Sequence, residues 1–331
     1  MEAAVITKPG AVEVSTVPNP VPGEQDVVIR VHSSGICGTD VHIYQGDYLG
    51  SYPIIPGHEF AGVVEAVGPA VSRIAVGDRV AIEPNIACDN CESCLNNRQN
   101  FCQSWNGVGV TLPGGMAELA CVPEKAVFDI GSMSFPVAAF VEPLACVLHG
   151  VERARFRLGD RLLIIGAGPI GLLLSKTIML QGACEITQVD RNGLRLELAR
   201  SAGVAHTASS LEGLPAEAYD VVVDATGVPT LMEQTMQFVR PGGTILLFGV
   251  PPQSASITLP AFPIFKKGLT ILSSFTSVRN SIQAVRLLES GAIDVSALLT
   301  HSMPLGDLET GLKLMESGGG EAMKIHILPN G

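Results

Sequence analysis

Cys88, Cys91, Cys94 and Cys102 follow a C-x2-C-x2-C-x7-C spacing. Four thiolates on one short lobe can close a tetrahedral shell, and a closed all-thiolate shell suits structural zinc. An iron–sulfur cluster is the rival, since bacterial ferredoxin motifs begin with the same spacing. Those motifs place the fourth cysteine after three residues and before a proline; here it comes after seven and Gln103 follows. Four unligated core cysteines are a poor account, because Asp89, Asn90, Glu92, Ser93, Asn96, Asn97, Arg98 and Gln99 leave little apolar surface to bury.

A second group of donors is spread more widely. Cys37 lies in Gly35-Ile36-Cys37-Gly38-Thr39-Asp40-Val41-His42, and His58-Glu59 lies in Pro56-Gly57-His58-Glu59-Phe60. A thiolate, an imidazole and a carboxylate with an open fourth position would make a catalytic zinc shell. Singly, each has a plain reading: a lone cysteine packs in a core, and a His-Glu pair beside glycine sits in a loop. Gly166-Ala167-Gly168-Pro169-Ile170-Gly171 supplies a third chemistry. It follows an apolar run and opens a helical one, and Asp190 comes 19 residues after Gly171. In that context Gly166 makes the tight turn, Gly168 lets the backbone approach a pyrophosphate, and Gly171 lets helix and sheet pack closely. The helix N-terminus then offers unpaired N–H groups to phosphate charge. Asp190 would accept from ribose hydroxyls and repel a 2′-phosphate, favouring NAD over NADP, although Arg191 beside it can pair with a phosphate.

The elements that must position these residues fall into three stretches. Up to about residue 143, short β-like runs (27–32, 62–67 and 79–82) are broken by glycine and proline. From 144 to 275 strands and helices alternate: strands at 162–165, 185–189, 219–225, 244–250 and 269–275, helices at 170–180 and 194–201. Such alternation implies a parallel sheet covered on both faces. The tail carries helices at 282–289 and 308–316 and an apolar strand at 323–328. The 331 residues suggest about two domains at roughly 150 each. With 47% hydrophobic and 16% charged residues the chain is expected to fold. Its net charge of −11 argues against a nucleic-acid or basic membrane-surface binder. No uninterrupted apolar run approaches the ~20 residues of a membrane span, and residues 1–8 do not read as a secretory signal. The cysteines are therefore expected in a reducing cytoplasm, with Cys121, Cys146 and Cys184 as core residues.

Taken together, these segments resemble the zinc-dependent medium-chain dehydrogenases, and within them the polyol (sorbitol-type) branch. The likeness runs through the Cys37 segment, Gly57-His58-Glu59, the four-cysteine lobe, Glu142-Pro143-Leu144, the glycine loop and Thr300-His301. It implies an α/β fold: a GroES-like, mostly-β catalytic domain (1–147), a Rossmann doubly wound parallel sheet binding NAD (148–277), and a C-terminal segment (278–331) returning to the first. It also implies two zinc ions per chain, a homotetramer or homodimer, and a small polyol substrate. Cys37, His58 and Glu59 look like catalytic zinc ligands, with Cys88, Cys91, Cys94 and Cys102 holding structural zinc. The cofactor set implied by likeness adds Pro169, Ile170, Arg195, Thr226, Val250, Ser274 and Phe275.

Glu142 stands where alcohol-dehydrogenase relatives have a third cysteine ligand and polyol relatives a glutamate. Zn²⁺ with one thiolate and one carboxylate is neutral, and a second bound carboxylate would make it a weaker Lewis acid. Glu142 is therefore expected to hold the zinc-bound water or substrate hydroxyl and to exchange with Glu59. Thr39 resembles the family's hydroxyl relay, with His42 extending it to solvent; Thr39 could equally cap a helix. One departure stands out. Animal sorbitol dehydrogenases carry an Arg-Tyr pair where this chain has Thr276 and Ser277, so another polyol or sugar alcohol is expected. Tyr44 and Trp105 are pocket aromatics or packing residues. The competing readings are a threonine-type or simple secondary-alcohol dehydrogenase, and a catalytically silent zinc-stabilised nucleotide binder.

Overall fold

The computed structural model describes residues 1–331 apart from 184 and 319; Cys184 thus lies outside the described residues. The chain forms two units, Met1–Ala145 with Ser277–Gly331, and Cys146–Thr276; the sequence reading set these divisions after 147 and 277. In the first unit a seven-stranded sheet is organised around the strand Asp26–Gly35. Its valines and isoleucines alternate into a core of Val27, Ile29, Val31, Phe60, Val64, Val80 and Ile82. The strand pairs antiparallel with Glu59–Val67, with Gly35 opposite Glu59. That register sets Cys37, two residues past the strand end, beside His58 and Glu59 at the start of the neighbour. The tail strand Lys324–Leu328 pairs antiparallel on the other side, with His326 opposite Gly35, and the Ile36 amide donates to the Ile325 carbonyl at 2.8 Å.

The second unit is a six-stranded sheet, every neighbouring pair parallel. Its spatial order is His206–Ala208, Glu185–Val189, Arg161–Ile165, Tyr219–Asp224, Val239–Leu247, Thr270–Ser273. The order is the doubly wound one, reversing between Arg161–Ile165 and Tyr219–Asp224, where such sheets bind ligands. The helix Pro169–Leu180 starts at Gly168 as N-cap with proline in the first turn.

Several strands were not named from sequence, among them Glu2–Lys8, Ala11–Thr16 and Leu119–Pro123, and two show why. His206–Ala208 and Leu299–Pro304 are short edge strands with polar residues, and they carry no apolar run to announce them. Val239–Leu247 begins five residues before the expected 244, because Pro241-Gly242-Gly243 reads as a turn yet sits inside the strand. A register shift opposite, between Tyr219 and Val221, accommodates it. Among the described residues, Phe135–Ala154 is long and apolar enough to cross a membrane, a stretch not picked out from sequence; 67% of its most apolar window is buried within the structure. Cys121 and Cys146 are half-buried rather than core residues, and burial pushes the Cys121 thiol up to about 11.

Gly171 shows how tightly helix and sheet meet. A Cβ there would overlap the Gly166 carbonyl and come 3.1 Å from Gln188 Nε2. Gly171→Ala is therefore expected to destabilise the protein by about 1–3 kcal/mol. Urea unfolding measures this, and an unchanged midpoint would contradict the packing argument.

Candidate active site

Cys37 Sγ, a His58 ring nitrogen and a Glu59 carboxylate oxygen lie within 4.8 Å of one another. His58 and Glu59 are buried. Their scaffold is Asp40, a carboxylate with no exposed surface. Its Oδ2 accepts from the Cys37 amide at 2.8 Å and its Oδ1 from the Gly57 amide at 3.1 Å. Oδ1 also lies 3.6 Å from His58 Nδ1. One side chain thus ties the Cys37 turn to the His58 turn. Burial pushes the His58 pKa down, but Asp40 and Cys37 outweigh this and hold it well above its ordinary value.

Lys324 meets this group from the tail strand. Its ammonium is paired with Glu59 Oε2, and the residue is 4% exposed. Burial disfavours its charge; Glu59, Cys37 and Glu142 more than restore it, and its pKa is raised. Nothing in the sequence marked Lys324, since it sits in an apolar strand 265 positions from its partner. Asp40 was signalled only by its place three residues after Cys37.

Glu142 is buried near the start of the helix Val141–Ala154, outside the three-donor group. Cys37 is itself the N-cap of the helix Gly38–Gln45, with Asp40 closing a reciprocal capping pair. Thr39, half-buried at the second helical position, takes no part in this cap. The capping role is filled by others, which leaves the Thr39 hydroxyl for other work. His42 has a buried Nδ1 without a hydrogen-bond partner, and its ring stacks at 6.3 Å on Tyr48. Tyr44 is a packing residue: it is 6% exposed within an apolar cluster and its hydroxyl donates to Glu309 at 2.9 Å. Trp105 packs on the cysteine lobe and donates to Asn85 Oδ1 at 3.1 Å. Ser277 is likewise spent, donating to Glu83 Oε2 at 2.7 Å, while Thr276 holds a left-handed φ of 51°.

The four-cysteine lobe is formed as a shell. Sulfur separations are 3.5 Å for Cys91–Cys94 and 4.0 Å for both Cys88–Cys94 and Cys91–Cys102. A zinc tetrahedron with Zn–S of about 2.3 Å has edges of about 3.8 Å, so the donors fit that ion. Amides of Cys88 and Ser104 donate to Cys102 Sγ at 3.2 and 3.3 Å. Backbone N–H groups of Cys94 and Gln103 draw Cys91 down to about 6, which favours the thiolate that binds metal.

In the second unit a cavity of about 700 Å³ is lined by Gly166, Gly168, Asp190, Arg191, Arg195 and Thr226, among others. Gly166 holds a φ of 108°, which suits glycine. Asp190 accepts from the Ala167 amide and the Asn192 amide, both at 2.8 Å, and Arg195 Nη1 lies 3.9 Å away. Its carboxylate thereby braces the glycine loop from the next strand. Sequence reasoning missed two further braces. Gln188 donates to the Gly166 carbonyl at 3.0 Å while accepting from Ser175 at 2.9 Å. Buried Asp224 accepts from the Thr226 hydroxyl and the Gly227 amide, shaping the loop that carries Thr226; desolvation raises its pKa. Pro169, Ile170, Gly171, Val250, Ser274 and Phe275 do not line this cavity. Pro169 opens the helix, Gly171 packs beneath the loop and Val250 is 48% exposed.

Residues 23–132 match the alcohol dehydrogenase GroES-like domain and residues 169–290 the zinc-binding dehydrogenase family. The chain is 33% identical to D-arabinitol dehydrogenase 1 of Uromyces fabae, over 100% of this chain and 97% of that protein. It is 38% identical to D-altritol 5-dehydrogenase of Agrobacterium fabrum, over 85% and 86%. A zinc-binding dehydrogenase from Sinorhizobium meliloti, solved bound to NADP, superposes with a TM-score of 0.91 at 31% identity, covering 99% of each chain. With a shared fold along the whole chain, a relative 33% identical over its full length and two family matches, this protein belongs to the zinc-dependent medium-chain dehydrogenases.

Proposed function

We propose that this chain oxidises a secondary hydroxyl of a polyol or sugar alcohol to the ketose, with NAD as hydride acceptor and a cytoplasmic setting. The observation that carries the reading is the Cys37–His58–Glu59 group, three mutually close donors of the types that hold catalytic zinc with a position left open. Relatives that act on D-arabinitol and D-altritol point to the substrate class. When bound, the zinc supplies a Lewis acid that lowers the pKa of the substrate hydroxyl, and the dinucleotide supplies the hydride acceptor.

The chain's own residues do the rest. Cys37, His58 and Glu59 hold the metal, and Asp40 fixes the turns that present them. Glu142, buried near the start of its helix, would accept from the metal-bound hydroxyl. Thr39 accepts the substrate proton and His42 carries it outward, two residues on one short helix. In the other unit Gly166, Gly168, Asp190 and Arg195 line the cavity that would hold the dinucleotide, the glycines admitting its pyrophosphate and Asp190 accepting from its ribose. Cys88, Cys91, Cys94 and Cys102 hold a structural zinc.

Rates of NADH formation over pentitols, hexitols, threonine and simple secondary alcohols, before and after chelation, test the reaction class. Turnover confined to polyols and lost with the metal is expected; metal-independent turnover, or turnover with threonine alone, would contradict it. Thr39→Val removes the hydroxyl and keeps the shape. Turnover should fall about a hundred-fold, within the usual range for lost proton transfer, with NADH affinity retained; equal turnover would refute the relay. Asp190→Ser removes the charge that opposes a 2′-phosphate. The NAD-over-NADP ratio of kcat/KM should then narrow by about ten-fold or more, the scale of one close charge–charge contact. An unchanged ratio would assign the preference elsewhere.

A further inference from the structure

The buried pairing of Lys324 with Glu59 has no role in the hydride or proton transfer proposed above. Lys324 is delivered by the register of the strand Lys324–Leu328 against Asp26–Gly35. Its backbone is pinned: the Thr300 hydroxyl accepts from the Met323 amide at 2.9 Å and meets the Lys324 carbonyl at 3.3 Å. Gly35 leaves the space for the pair. A Cβ at Gly35 would overlap Glu59 Oε2 and come 2.9 Å from Lys324 Cε. The groups that favour charge on the buried ammonium are Glu59, Cys37 and Glu142, two of the three proposed metal ligands and the glutamate proposed to act beside them. Asp40, the other carboxylate of this group, is engaged by two backbone amides.

We infer that Lys324 is a positioning residue for the catalytic metal: its buried cation holds Glu59 and competes with zinc for that carboxylate, and so sets how tightly the ion is bound. This rests on the zinc reading of the Cys37–His58–Glu59 group. Without metal, Lys324 is the partner that keeps a buried Glu59 compensated. With metal, zinc takes over that compensation, and the lysine remains as a fixed positive charge that weakens zinc binding. A buried carboxylate stripped of its partner is strongly destabilising. Removing the lysine therefore costs the zinc-free protein far more than the zinc-loaded one, and thermodynamic linkage turns that difference into tighter binding.

The test compares wild type with Lys324→Met and Lys324→Arg, with zinc counted per chain and its affinity measured by competition with a chromophoric chelator. Cys37→Ser identifies which of the two zinc ions belongs to this site. In Lys324→Met, affinity at this site should rise ten-fold or more. The melting temperature should fall in the zinc-free protein and stay near wild type in the loaded one. Lys324→Arg, which keeps the charge, should bind zinc like wild type. Should the zinc-free Met variant not hold its fold, Lys324→Gln carries the same comparison. Unchanged or weaker zinc binding in the neutral variants would overturn the inference, as would an equal loss of stability with and without metal. A wild-type chain carrying zinc only in the four-cysteine lobe would instead overturn the site reading, and the inference with it.

Discussion

The Cys37–His58–Glu59 group depends on one carboxylate that never meets solvent. Asp40 accepts from the amides of both Cys37 and Gly57, and these belong to turns separated in sequence by an entire helix and loop. A buried anion without such donors would be strongly unfavourable. The two amides therefore hold the turns as firmly as the turns hold the carboxylate. Strand register brings the turns near one another, and Asp40 fixes the remaining distance.

The two metal sites reach their geometry by opposite routes. The four-cysteine lobe is local: a single polar segment wraps its own sulfurs, with backbone N–H groups donating to Cys102 Sγ and favouring the Cys91 thiolate. The Cys37–His58–Glu59 group is assembled from the ends of two strands, with Lys324 arriving from a third. The lobe is uniform and closed, which suits a structural ion. The assembled group is mixed in donor type and faces a buried cation, which suits an ion whose binding and acidity must be adjustable.

That contrast also explains what could be read in the sequence. The alternation of strands and helices in residues 161–273, the glycine loop and the cysteine spacing are local patterns, and the doubly wound sheet follows the order they imply. Cys37, His58 and Glu59 could be singled out by residue type, and the register then explains their proximity. Partners joined only through register left no local trace. Lys324 lies in an apolar strand, and Gln188 and Ser175 brace the glycine loop from beneath while reading as ordinary strand and helix positions. The aromatic residues stayed open between pocket and core for the converse reason. Tyr44 stands seven positions after Cys37, yet helical geometry turns it into the core. Val239–Leu247 was shortened because proline and glycine outweighed the neighbouring strand that pairs with them.

The most direct measurement of the account is diffraction at the zinc absorption edge from crystals grown with NADH and a polyol. Two zinc ions per chain are expected. One should lie among the four cysteines, the other among Cys37, His58 and Glu59 with a substrate hydroxyl at its open position. Zinc confined to the cysteine lobe, or a catalytic zinc held by Glu142 while Glu59 remains on Lys324, would contradict it.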